Sequence, residues 1–319
     1  MSTHRDQLPQ LGGDVFLTDG GIETTLIFLE GFQLPCFAAF DLMKTQYGRD
    51  ALRNYYEPYI DIARAAGYGF ILESPTWRAN TDWGNKLGYT ASDLARANKN
   101  AIELMTQLRD TCLFEHAPMV ISGCVGPRGD GYDPGIEMSP DEAEEYHSTQ
   151  VRVLAWAGVD MVTAATVTNS NEAIGITRAA HSASVPVAIG FTVETDGRLP
   201  TGESLTQAIE AVDVATGSTP VYFMINCAHP THFASVLNSQ DAALERIHGL
   251  RANASARSHR ELNDSRELDA GVPEELGRQY SQMVSDHPQI NVLGGCCGTD
   301  QRHIRCIAHA VAALRKKTT

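Results

Sequence analysis

The sequence predicts one parallel (β/α)8 barrel, and three observations lead there. Eight short apolar or β-branched runs alternate with longer amphipathic stretches. The 319 residues exceed the usual roughly 100–200 per domain yet suit one barrel of this class. No repeat, low-complexity tract or Pro- or Ser-rich linker divides the chain, so residues 1–319 read as one domain with its core at about 15–315. The repeated strand–helix alternation favours the closed barrel over an open doubly wound sheet.

Taken in order, Val15–Thr18 is the first strand, ending at Asp19-Gly20-Gly21, and the amphipathic Asp50–Ala66 follows it. Phe70–Glu73 leads to Ser92–Arg109, and Met119–Ser122 leads to Pro140–Ala157. Pro140 suits a first helical turn and Ser139 suits the cap before it. Met161–Ala164 is followed by Asn171–Ala183, and Val187–Phe191 by Leu205–Ala215. Tyr222–Asn226 precedes a helix that carries His232. Ile247–Arg251 precedes Pro273–His287, which again opens on proline, and Asn291–Gly294 precedes Gln301–Lys316. In such barrels catalytic groups stand where strands end and loops enter the helices. Here those ends carry Asp19-Gly20-Gly21, Glu73-Ser74-Pro75-Thr76, Gly123-Cys124, Asn226-Cys227 and Gly294-Gly295-Cys296-Cys297-Gly298.

Composition narrows the function. Hydrophobic residues make up 43% and charged residues 20%, an ordinary globular balance. A formal charge of −14, with no basic run, argues against nucleic-acid partners. No stretch approaches the roughly 20 apolar residues of a membrane span, and the start MSTHRDQLPQLGGD lacks the apolar core of a secretory signal. The expected setting is cytoplasmic, with small-molecule partners and a homo-oligomeric state left open. Seven cysteines at irregular spacing, two of them adjacent, do not form a disulfide framework.

Cys227 ends the sixth predicted strand, and Cys296 and Cys297 follow the eighth, which brings three sulfurs to one mouth. Three thiolates with an open fourth position describe a catalytic zinc site. A lone strand-end cysteine is more often a small buried hydrophobe, and an adjacent pair can close a strained disulfide. The glycines flanking Cys296-Cys297, together with Asn226-Cys227 opposite, favour metal. Cys36, Cys112 and Cys306 read as structural, with Cys124 at a strand end. His229 and His232 follow Cys227 but are not needed to complete the ligand set.

The motifs Asp19-Gly20-Gly21, Asn226-Cys227 and Gly294-Gly295-Cys296-Cys297-Gly298-Thr299 resemble those of the zinc-dependent homocysteine S-methyltransferases. That family includes betaine– and S-methylmethionine–homocysteine methyltransferases and the homocysteine module of cobalamin-dependent methionine synthase. Glu73–Asn80 resembles the family's second-strand loop, and the likeness runs in order from about Val15 to Arg315. It implies a Zn2+ cofactor held by Cys227, Cys296 and Cys297, and a route from homocysteine to methionine. It also implies that Asp19, Gly20 and Gly21 hold the amino-acid part of the acceptor, with Glu73, Thr166 and Asn226 completing the substrate-facing set.

Zinc deprotonates a bound thiol, which then attacks an activated methyl on a sulfonium or a betaine. A corrinoid domain has no room beside the barrel, so a free donor is expected. Trp77 and Trp83 could receive a cationic donor by cation–π contact or simply pack under a loop. Arg251 could take a carboxylate, Glu23 reads as a helix-start acid, and Gly126–Gly135 suits a lid. One departure stands out: Ala165 occupies the position where the family carries glutamate, beside the matching Thr166. Either another acid such as Glu73 meets the acceptor's ammonium, or the acceptor is a different thiol. The rival from another class is a non-catalytic zinc or thiol sensor.

Overall fold

The computed structural model describes residues 2–112, 117–239 and 241–318. Its eight strands close into a barrel in sequence order, all parallel. They are β1 (Phe16–Leu17), β2 (Gly69–Glu73), β3 (Met119–Val125), β4 (Met161–Val167), β5 (Val187–Phe191), β6 (Tyr222–Asn226), β7 (Ile247–Ala252) and β8 (Val292–Gly295). The main helices after them are α1 (Gln46–Ala66), α2 (Ala91–Thr111), α3 (Pro140–Ala157), α4 (Ser170–Ser182), α5 (Leu205–Thr216), α6 (Pro230–Leu237), α7 (Pro273–Asp286) and α8 (Gln301–Thr318). Phe16 lies opposite both Gly69 and Val292, which closes the ring. Among the described residues no helix is long and apolar enough to cross a membrane.

All eight expected strands are present, and differences are confined to their ends. β4 extends to Val167 through an irregularity that restores pairing at Val167 with Phe191, a feature that apolar patterning does not signal. α1 starts at Gln46 because Thr45 accepts a hydrogen bond from the Gly48 amide. Ser139 and Glu142 cap each other at the head of α3, with Pro140 in its first turn.

Strand alternation sorts the barrel interior into layers. The lower layer is apolar: Phe16, Ile71, Val120, Met161, Ala188, Tyr222 and Val292 pack together with Leu8. One step up, the same alternation places polar groups. Ser122 Oγ and Thr163 Oγ1 lie 2.8 Å apart, and the Thr163 hydroxyl donates to Glu73 Oε1 at 2.8 Å. Glu73 Oε2 is buried without a partner. Below the barrel, the fully buried Asp160 accepts from the amides of Thr3 (2.6 Å), His4 (2.8 Å) and Ile121 (2.9 Å) and pairs with Arg109 at 3.0 Å. It fastens the N-terminal segment and α2 to the entrance of β4.

Two outcomes follow from these buried acids. Asp160→Ala strands one guanidinium and three amides at once, so unfolding in urea should show a loss of about 3–5 kcal/mol. A loss below about 1 kcal/mol would show that the carboxylate is not the fastening point. Glu73 behaves differently, because burial pushes its carboxyl up to about 7, against Arg251 and the Thr163 hydroxyl. The folded chain therefore holds this proton more tightly than the unfolded chain does. Its contribution to stability is greatest at low pH and falls as pH rises from about 4.5 through about 7. Glu73→Gln removes that fall, so the variant should gain about 2–3 kcal/mol on wild type between about pH 5 and pH 8. A pH-independent difference would refute the assignment.

Candidate active site at the barrel mouth

The predicted cysteines meet. Cys227 Sγ lies 2.7 Å from Cys296 Sγ and 3.6 Å from Cys297 Sγ, and all three sulfurs fall within 4.8 Å of one another. Among the described residues they are the only such group of metal-ligating side chains. Three sulfurs with no carboxylate or imidazole among them suit a thiophilic cation such as zinc. Hydrogen bonds from Cys227 and Cys296 hold the Cys297 thiol well below its usual value, while its contacts with Cys296 and Cys297 push Cys227 up. Without a cation the cluster favours one thiolate, and a bound cation would favour all three. The two histidines that follow Cys227 lie outside the cluster: His229 caps α6 through Thr231 and His232 faces the Ala256 carbonyl.

β7 sets the spacing of the sulfur-bearing loops. The Cys227 amide donates to Arg251 O at 3.0 Å, the Cys296 amide to Ala252 O at 2.8 Å, and the Ala254 amide returns a bond to Cys297 O at 3.0 Å. Cys227 has φ of 58°, a left-handed value that is costly for a residue with a side chain. Its carbonyl is held by His259 Nε2 at 2.7 Å and Asn253 Nδ2 at 2.9 Å, so the surroundings over-determine the turn. Thr166 is left-handed as well, at φ 62°. Its amide donates to Asn226 Oδ1 at 2.8 Å, and Asn226 Nδ2 donates back to Thr166 Oγ1 at 2.8 Å. Asn226 thereby locks the end of β4 to the residue that precedes a cysteine.

The cysteines open on a cavity of about 590 Å³, which Asp19, Gly20, Gly21, Glu73, Thr166 and Asn226 also line. Several of these groups are already committed. Asp19 Oδ1 accepts from Arg251 Nη2 at 2.7 Å and Oδ2 from Tyr55 at 3.0 Å. Arg251 also donates to Gly295 O at 3.1 Å, so it is a buried tie between strand ends, where the sequence suggested a carboxylate receptor. The Gly21 amide is spent on Thr299 O at 3.0 Å. A Cβ on Gly20 would stand 2.8 Å from Thr299 O, and one on Gly21 would stand 2.5 Å from Cys296 O. These glycines let the β1 and β8 loops touch, which explains their pairing with the cysteine motif.

Four further features were not visible in the sequence. Tyr132 places its hydroxyl 3.2 Å from Cys227 Sγ and 3.5 Å from Cys297 Sγ, and its ring stacks on His259 at 3.9 Å. The hydroxyl beside the sulfurs is therefore that of Tyr132, while the Thr166 hydroxyl is engaged by Asn226. An aromatic side chain in the Gly- and Asp-rich segment after β3 was the one available signal. That segment, expected to be a lid, is tied by the Arg128 amide to Glu172 at 2.7 Å and by Asp130 to Arg78 at 3.2 Å. The Trp83 ring, a candidate receptor for a cationic donor, is covered by Arg78 at 3.6 Å and Lys86 at 3.8 Å. Cys36, read as structural, is exposed on the cavity wall.

Comparison with known proteins finds relatives along almost the whole chain. Homocysteine S-methyltransferase 2 of Zea mays is 23% identical over 317 residues, spanning 93% of this chain and 89% of that one. Selenocysteine Se-methyltransferase of Brassica oleracea var. italica is 23% identical over 331 residues, spanning 98% and 92%. Among solved structures, the homocysteine methyltransferase MmuM from Escherichia coli in its oxidized form matches with a TM-score of 0.74 at 17% identity, covering 93% of this chain and 96% of that one. Its metallated form matches with a TM-score of 0.69 at 18% identity, covering 94% and 96%. These structural likenesses speak for the barrel. The family model for homocysteine S-methyltransferase matches residues 16–311, almost the whole chain, and the chain belongs to that family.

Proposed function

We propose that residues 15–315 work as one zinc-dependent methyltransferase barrel, passing a methyl group from a sulfonium or betaine donor to a small thiol, with homocysteine the leading acceptor and methionine the product. The observation that carries this reading is the convergence of Cys227, Cys296 and Cys297 at a roomy cavity. Held by those three thiolates, zinc would deprotonate a thiol at its fourth position and leave its sulfur electron-rich enough to attack carbon. A metallated form exists for the structurally similar MmuM.

The chain's own residues supply position and environment. Asn226 and the carbonyl network around Cys227 fix the first sulfur, and the glycine-flanked turn presents the other two. Tyr132 covers Cys227 and Cys297, so an arriving acceptor sulfur displaces its hydroxyl. Phe28, Leu34 and Phe37 on the cavity wall help keep water from the transfer. An anionic sulfur meeting a cationic methyl donor loses charge as the new bond forms, so a drier cavity favours the step. The methyl carbon moves to the acceptor sulfur, and the donor leaves as a neutral sulfide or amine.

A second reading keeps the chemistry and changes the acceptor. Ala165 offers no carboxylate to an acceptor's ammonium, and one relative is named for a selenocysteine substrate. Zinc-loaded chain given S-methylmethionine should convert L-homocysteine to methionine, with about one zinc per chain by metal analysis. Cys297→Ala should lose the bound zinc and cut turnover at least roughly 100-fold, and a chelator should do the same reversibly. Full turnover in the metal-free chain would sink the zinc assignment.

A further inference from the structure

Arg78 lines the cavity with much of its hydrogen-bonding capacity unused. It is 8% exposed, and its guanidinium lies 3.6 Å from the centroid of Trp83 and 4.5 Å from that of Trp77. Nη2 donates to Asp130 at 3.2 Å, while Nε and Nη1 are buried with no acceptor. A buried cation with idle donors is costly unless an anion arrives to meet it. The guanidinium lies against both indole rings, and a planar guanidinium with unpaired N–H groups is the group that takes both oxygens of a carboxylate.

Glu23 lines the same cavity, just past Gly21, and forms no ion pair among the described residues. It lies within electrostatic reach of Cys296 and of Arg78. The other acids near the sulfurs are engaged: Asp19 with Arg251 and Tyr55, and Glu73 with the hydroxyl chain of the barrel wall. Strand four contributes only Ala165.

We propose that Arg78 and Glu23 form the head-group site of an amino-acid substrate, the guanidinium taking the α-carboxylate and Glu23 the ammonium, with the substrate sulfur directed toward the three cysteines. The proposal rests on the methyltransferase reading for its sulfur, and it names the pair that replaces the strand-four acid. Both residues are specificity determinants, since they grip the part of the substrate that does not react.

The test separates head-group recognition from transfer. Metal-free full-length chain is titrated with L-methionine, with 4-(methylthio)butyrate, which lacks the ammonium, and with 3-(methylthio)propylamine, which lacks the carboxylate. Calorimetry and tryptophan fluorescence report binding, the latter because Trp77 and Trp83 flank Arg78. Arg78→Gln should weaken L-methionine and the butyrate about 10- to 100-fold more than the propylamine. Glu23→Gln should weaken L-methionine and the propylamine about 10- to 100-fold more than the butyrate. Arg78→Lys, which keeps charge but loses the planar guanidinium, should fall between wild type and Arg78→Gln. Equal losses across the three ligands, no loss, or no L-methionine binding by wild type overturns the proposal. In the zinc-loaded enzyme, kcat/KM for L-homocysteine, 4-mercaptobutyrate and 3-mercaptopropylamine should follow the same pattern. Selective binding without methyl transfer to any thiol upholds the head-group site and defeats the methyltransferase reading. Transfer to homocysteine that neither variant impairs does the reverse.

Discussion

The buried ion pair between Arg251 and Asp19 is the constraint on which the mouth depends. The two residues are 232 positions apart in sequence and 2.7 Å apart in space, joining the ends of β7 and β1. Burial works against a charged Arg251, yet Asp19 and Glu73 more than offset it and hold the guanidinium protonated. A pair sealed from water repays its desolvation only when the remaining donors are satisfied, and here the Gly295 and Gly20 carbonyls accept them. The same residue whose side chain closes the ring offers its carbonyl to the Cys227 amide. The position of the first sulfur and the closure of the barrel mouth therefore share one residue.

From that point the strain in the site becomes intelligible. Cys227 and Thr166, both left-handed, lie at the ends of β6 and β4, and Asn226 bonds directly to the Thr166 backbone. Left-handed backbone at a β-branched residue persists only where neighbours outweigh its cost, and here they do so around the reacting centre. The glycines of the β1 and β8 loops serve the same end by another route. They remove side chains where two backbones must touch, which seats Cys296 and Cys297 against β1 without demanding strain from either cysteine.

Much of this was legible in the sequence because it is written locally. Each strand is an apolar run punctuated by glycine or polar residues, and α3 begins with its own cap and proline. The cysteines were legible because their position at strand ends, given a barrel, already fixes the mouth they face. What escaped was set by side-chain contacts that local patterning does not encode. Arg251 looked like a free cation because its partner lies at the other end of the chain, and Trp83 looked like an open aromatic face because Arg78 and Lys86 were not known to cover it. Tyr132 sits in an irregular segment, where periodicity carries no information about direction, whereas Glu23 does open a short helix, Ile22–Thr24, as its sequence position suggests.

The charge of the cavity draws these strands together. Its lining includes six carboxyl side chains, Asp19, Glu23, Glu73, Asp130, Glu267 and Asp269, against two guanidinium groups, Arg78 and Arg251. Arg251 is consumed by Asp19, and Arg78 is only partly neutralised by Asp130. What remains is acidic, with a single cationic spot between two indole rings, and three sulfurs nearby that carry about one net negative charge either as a lone thiolate or as three thiolates around a divalent cation. Such a cavity rejects simple anions, yet it can take a zwitterion whose carboxylate finds that spot. It also favours a methyl donor that carries positive charge, because the field that lowers the donor's energy on arrival acts along the whole approach. The acids that burial makes costly to ionise, Glu23 among them, are in this view what make it selective. Stability is lower because buried charges lack partners, and the ligands the chemistry needs are the ones that bring those partners in.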